Sequence, residues 1–322
     1  MTSSQSLNDW DVTTKSTLVS IGTHSLFFSI SGPPRRPHEP IVVVFTGSGD
    51  CGASWVAVER LVSPFARILI YDRSGLGRSE DGPNRAVATV AAEELHLALE
   101  SAGIRPPFVL CAHSYGGVVA REFLHRWPDA VVGMVLAEAA TEHQSRYFRV
   151  RDPNMDAVAG DLNFARVTGL RDDAKLSREE WRTRAAQFAR GAPTAEKERK
   201  GFFEVCDTLR EKKQFERQAF GTKPLSVIRC NNKKDQERIY QKGVEAGNGT
   251  EEQRRAFREL LDSWEEMDAV LKEEQLLLSQ NSRLVHLPDC GHNVQLIRPD
   301  VVADEVRWVL ERSIEGRKAS NL

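Results

Sequence analysis

The sequence predicts an α/β fold built on a mostly parallel sheet, and three observations carry that reading. Short apolar runs bounded by turn residues recur along the chain, helical segments separate them, and one charge-rich stretch without strand character interrupts the alternation. Strand, helix, strand is the pattern of parallel neighbours, because joining two parallel strands takes a crossover of a dozen or more residues.

Six runs come first: STLVSI, HSLFFSI, IVVVF, RILIYD, FVLCAHS and VVGMVLAE. The last four are nearly continuous in apolar residues, as expected of strands covered on both faces. Between RILIYD and FVLCAHS lies AVATVAAEELHLALESAG, rich in helix formers at helical spacing, with Gly103 placed to end the helix. GGVVAREFLHRWPDA gives a second crossover helix that stops near Pro128. From about Thr141 to Thr222 the segments become charge-rich and amphipathic, as in SREEWRTRAAQFARG and GFFEVCDTLREKKQFERQAF. This predicts a helical lid inserted between the sixth and seventh strands. The rhythm resumes with PLSVIRC, a long helical stretch from about Thr250 to Ser279, the strand RLVHLP and a closing helix at DVVADEVRWVLERS. The expected organisation is therefore one core, 1–140 with 223–322, carrying an insertion at 141–222.

Composition narrows the function classes. The 322 residues are 40% hydrophobic and 28% charged, enough for a sizeable core. The formal charge of −2 lacks the basic excess that phosphate-backbone binding demands, so nucleic acid is not an expected partner. The polar start MTSSQSLNDWDVTTKS has no apolar h-region, and no window approaches the ~18 apolar residues of a membrane span. Five scattered cysteines without C-x-x-C spacing fit free thiols in a reducing compartment, which points to the cytoplasm. The expected partner is a small-molecule substrate; no feature speaks to oligomeric state.

The most informative segment is FVLCAHSYGGVVAREF, where an apolar strand meets a helix at Ala112-His113-Ser114-Tyr115-Gly116. Small residues two before and two after Ser114 let the turn tighten and present its hydroxyl at the helix N-terminus. Ala112 stands where the G-x-S-x-G pattern has its first glycine.

With this segment the chain resembles the α/β-hydrolase family, and the likeness runs from about Ser16 to Ser313, the insertion matching only in position. IVVVFTGSG resembles the family's strand and oxyanion loop, YDRSGLGRS its D-R-x-G-x-G-x-S turn, VVGMVLAEA a later strand end, and PDCGHNVQLIRPDVV its histidine loop. The resemblance implies an α/β-hydrolase sheet flanked by helices and a Ser-acid-His chain order. Members also include receptors and lyases, so the fold by itself does not establish the activity.

A serine hydroxyl is almost un-ionised at neutral pH, so it needs a base within reach and a third group to orient that base. His292, on the turn PDCGH after RLVHLP, is the expected base. The acid has two candidates: Glu138 at the end of VVGMVLAE, which is favoured, and Asp235 after PLSVIRC. The expected oxyanion donors are the Tyr115 N–H and the Ser48 N–H, with Gly49 as the fallback. Gly47 and His113 are expected at the pocket floor, and YDRSGLGRS is read as a structural turn. Trp181, Phe188, Phe202, Phe203 and Phe220 are candidate pocket aromatics, although helical spacing favours ordinary packing for most of them.

The reaction expected from these parts is hydrolysis of a carboxylic ester or lactone through an acyl-enzyme on Ser114, with neither metal nor cofactor. Two alternatives stand beside it: a lyase or cyclase using the same Ser/His pair for proton transfer, and a ligand-binding receptor that retains the residues without turnover.

Overall fold

The computed structural model describes residues 8–320; the first seven residues of the polar start and the last two residues of the chain lie outside that range. Eight strands form one sheet: β1 Lys15–Ser20, β2 Ser25–Ser31, β3 Ile41–Phe45, β4 Ile68–Tyr71, β5 Phe108–His113, β6 Val131–Ala137, β7 Leu225–Cys230 and β8 Ser282–Leu287. Each corresponds to one of the apolar runs. Their order is β1-β2-β4-β3-β5-β6-β7-β8; β1 pairs with β2 and β2 with β4 antiparallel, and every other pairing is parallel.

Strand periodicity explains the two cores. Ile41, Val43 and Phe45 of β3 join an apolar cluster on one face, and Val42 and Val44 join another on the opposite face. Helices α1 Asp9–Val12, α2 Val56–Val62, α3 Ala88–Ala102 and α4 Tyr115–Arg126 lie in the first half of the chain. The first cluster is closed by α3 and α4 through Leu95, Leu99, Val119 and Phe123. The second is closed by Val58 and Val62 of α2 with residues such as Val306 and Val309 of the C-terminal helix. As expected, α3 ends on Gly103, whose φ of 67° is one that glycine adopts without steric cost.

Between β6 and β7 lie six helices and no strand: α5 Pro153–Ala159, α6 Phe164–Val167, α7 Leu170–Asp173, α8 Arg178–Arg190, α9 Ala192–Lys200 and α10 Phe202–Arg210. After β7 come α11 Asn232–Glu245 and α12 Glu251–Glu273, and after β8 come α13 Val294–Ile297 and α14 Pro299–Ser320. Helix α11 falls where the sequence predicts no element. This helix and α12 pack on α5 to make a third, smaller core of Val158, Ile239, Phe257, Leu261 and Trp264. Gly243 lets α11 approach this closely, since a Cβ there would stand 2.1 Å from the Val158 carbonyl oxygen. No described helix is long and apolar enough to cross a membrane.

Candidate active site

Strand β5 ends at His113 and α4 begins at Tyr115, leaving Ser114 between them at φ 51° and ψ −125°. A non-glycine residue at positive φ costs about 1–3 kcal/mol and persists only where its surroundings hold it. Here the Ser114 carbonyl accepts from the amides of Gly117 and Ala140, both at 2.9 Å. Gly116 is required by contact, because a Cβ there would lie 2.2 Å from the Phe45 carbonyl oxygen at the end of β3. Ala112, in place of the expected glycine, is fully buried in β5 between its strand partners Phe45 and Leu136.

The histidine loop brings His292 to the same end of the sheet. Its Nδ1–H donates to Glu138 Oε2 at 3.2 Å, while Glu138 Oε1 accepts the Cys230 amide at 2.6 Å. Glu138 follows β6 directly, with φ 49°, and its amide donates to the Ile228 carbonyl at 2.8 Å. The carboxyl is fully buried, which by itself would raise its pKa. Lys272, whose ammonium lies 4.0 Å away, His292 and the Cys230 amide outweigh that effect and hold it below the usual carboxylate value.

Asp235 also touches His292, but through the backbone. The chain turns helical immediately after β7, so Asp235 falls in the first turn of α11, where its Oδ2 accepts the His292 amide at 3.0 Å. Burial raises this carboxyl above its ordinary value, against the opposing effect of that hydrogen bond. Gly291 allows the approach, as a Cβ there would lie 2.3 Å from the same oxygen. The His292 carbonyl accepts from His113 Nε2–H at 2.9 Å, which fixes the His113 tautomer with its unpartnered Nδ1 toward Gly47. Burial, then the neighbouring His292, lowers the His113 pKa to about 3, so this ring is neutral.

The loop after β3 is held by Arg73. Its guanidinium donates to the carbonyls of Thr46 and Gly47, both at 2.7 Å, and to Glu198 of α9 at 2.8 and 3.1 Å. Glu198 in turn accepts the Gly49 amide at 2.8 Å. That amide is therefore occupied, whereas the Ser48 and Tyr115 amides make no hydrogen bond to another described residue.

Gly47, Ser48, His113, Ser114 and His292 form the floor of a cavity of about 1060 Å³. Helices α6, α7 and α8 supply its walls through residues that include Phe164, Leu170, Trp181 and Phe188. Arg184 lies 5.1 Å from the Trp181 ring centroid and 5.4 Å from that of Phe188, and its Nε donates to Ser54 Oγ at 2.8 Å. Ser54 bonds in turn to Asp50 on the cavity wall. No hydrogen bond joins Ser114 to His292 in this structure.

A sequence model of the alpha/beta hydrolase family matches residues 42–305. The chain belongs to that family. A Gibberella zeae protein named AB hydrolase superfamily protein is 30% identical over 303 residues, covering 89% of this chain and 91% of its own. A Hormonema carpetanum protein named probable transporter efuK is 34% identical over 312 residues, covering 94% of this chain and 44% of its own. The chain thus spans less than half the length of that relative. Among solved structures, haloalkane dehalogenase DbeA from Bradyrhizobium elkani superposes with a TM-score of 0.61 at 15% identity, over 94% of this chain and 100% of that one. At that identity the likeness is one of fold.

Within this alpha/beta hydrolase, Ser114, His292, Glu138, Gly47, Ser48 and His113 gather at one end of the sheet, and Asp235 supports the same histidine from the other side. Trp181 and Phe188 line the cavity; Phe202 and Phe220 are buried in the first core, and Phe203 is exposed. Arg73 belongs to YDRSGLGRS, which the sequence presents as a structural turn beside the site, and here it holds the loop after β3. Glu198 lies in a charge-rich run with no motif around it, and nothing in the sequence marks it.

Proposed function

We propose that this protein is a serine hydrolase that cleaves a carboxylic ester or lactone of a small organic molecule through an acyl-enzyme. The observation that carries the reading is the His292 ring, oriented by the buried Glu138 carboxylate beside Ser114 on the floor of one cavity. In this reading His292 Nε2 takes the Ser114 proton as Oγ attacks the substrate carbonyl. Glu138 holds the reactive tautomer and offsets the imidazolium charge. The Tyr115 and Ser48 amides receive the oxyanion, a contribution of several kcal/mol where donors are preorganised. His292 then protonates the leaving alkoxide and activates the water that releases the acid.

Glu138 is the acid in this assignment, Asp235 the residue that seats the histidine loop, and Gly49 is set aside as an oxyanion donor because Glu198 occupies its amide. Residues 141–222 act as a cap over the core, with α6 to α8 setting substrate choice through the cavity wall. A serine where related chemistry on haloalkanes or epoxides uses an aspartate favours ester over carbon–halogen or epoxide cleavage.

The test is a panel of carboxylic esters and lactones assayed with wild type and Ser114→Ala. Hydrolysis of at least one member, reduced about 10⁴-fold or more in kcat by the substitution, is expected. Equal rates in the two proteins would refute the reading.

A further inference from the structure

Lys272 is an unusual residue to find where it is. It lies on the last turn of α12, wholly buried, with its ammonium 3.2 Å from Asp268 one helical turn earlier and 4.0 Å from Glu138 Oε2. Burying an ammonium costs several kcal/mol unless its partners repay the lost hydration, and an apolar side chain would fill the same space at lower cost.

The surroundings say what the charge faces. From β6 comes Glu138; from β7 come the Cys230 thiol and Arg229; from α12 come Asp268, Glu265 and Glu273; from the histidine loop come His292 and the Cys290 thiol; and His113 lies beyond His292. Arg229 takes up Asp268 from the outer side at 3.9 Å and continues to Glu265 and Glu273 at the surface. Asp268 therefore has a second cation. Among the described residues Glu138 has no ion-pair partner but Lys272 and His292, so Lys272 alone serves it whenever His292 is neutral.

We infer that Lys272 is a positioning residue that keeps the Glu138 carboxylate ionised behind His292. The inference rests on the proposed role of Glu138 as the acid that orients His292. Without the ammonium, a fully buried carboxylate would keep only two N–H donors, Cys230 and His292, and would face the Asp268 carboxylate across the gap. Removing a cation from this cluster makes proton uptake easier at every group it faces, so the acid limb of activity must move to higher pH. An opposite charge at this range moves a carboxyl by about 1 to 3 pH units.

The experiment measures the second-order rate of inactivation by a fluorophosphonate between pH 4 and 9 for the full chain, which needs no known substrate. Lys272→Met is expected to shift the acid limb upward by about one unit or more, and Lys272→Arg to restore it. Lys272→Gln, which keeps a polar contact, takes the place of the methionine variant if that one does not fold. A folded Lys272→Met or Lys272→Gln protein whose acid limb coincides with wild type would overturn the inference. Glu138→Gln run alongside separates the two claims: if it reacts as fast as wild type the assignment of the acid fails, and if it is slow while the Lys272 variants match wild type only the inference fails.

Discussion

Glu198→Ala tests whether α9 holds the loop after β3, the proposed oxyanion loop, in place. Glu198 and Arg73 are each 3% exposed, so their attraction is little screened and the loss of one partner strands the other. Removing one member of a buried pair costs about 3–5 kcal/mol, and the Gly49 amide left without an acceptor adds about 1–3 kcal/mol. Water entering the vacated space recovers part of this, leaving about 4 kcal/mol. At roughly 2 °C per kcal/mol for a chain of this length, Tm falls by about 8 °C. The kinetic effect follows from Arg73, which also holds the carbonyls of Thr46 and Gly47, the two residues before Ser48. Deleting an oxyanion donor costs about 10²–10³ in kcat, so misplacing one should cost about 10–100-fold with KM little changed. Glu198→Gln, which keeps an acceptor for Gly49, should fall between. Differential scanning calorimetry and steady-state kinetics read both quantities; a variant with Tm within about 2 °C and kcat within about twofold of wild type would refute the reasoning.

Other substitutions probe the rest of the site. Gly116→Ala forces a Cβ to within 2.2 Å of the Phe45 carbonyl and should lower Tm and abolish activity together; urea unfolding and kinetics check the pair. Glu138→Gln should reduce kcat about 10³-fold or more, following the loss expected when a histidine loses the anion that sets its tautomer. Asp235→Asn keeps an acceptor for the His292 amide and should cost about tenfold or less, with the two kinetic constants measured on one ester.

The centre of the sheet was legible because β3 to β7 are short apolar runs buried on both faces. Helix α11 was not: in NKKDQERIYQKGVE only Asp235, Ile239 and Gly243 are buried, too sparse a stripe for a periodicity argument. Its early start is also why Asp235 meets the backbone of the histidine loop. Sequence places Glu138 and Asp235 near strand ends, but only the fold shows one carboxylate meeting the ring and the other the backbone amide of the same histidine. Ser114 and His292 could be read from local motifs. Glu198 and Lys272 could not, as each reaches the site from a helix distant in sequence and through burial alone.

The central claim is that Ser114 is an activated nucleophile served by His292. The most direct measurement is fluorophosphonate labelling of the folded protein, with the adduct located by peptide mass spectrometry. Stoichiometric modification at Ser114 is expected, absent in Ser114→Ala and slowed about 10³-fold or more in His292→Ala. Folded wild-type protein that stays unlabelled, or labels equally fast without His292, would contradict the account.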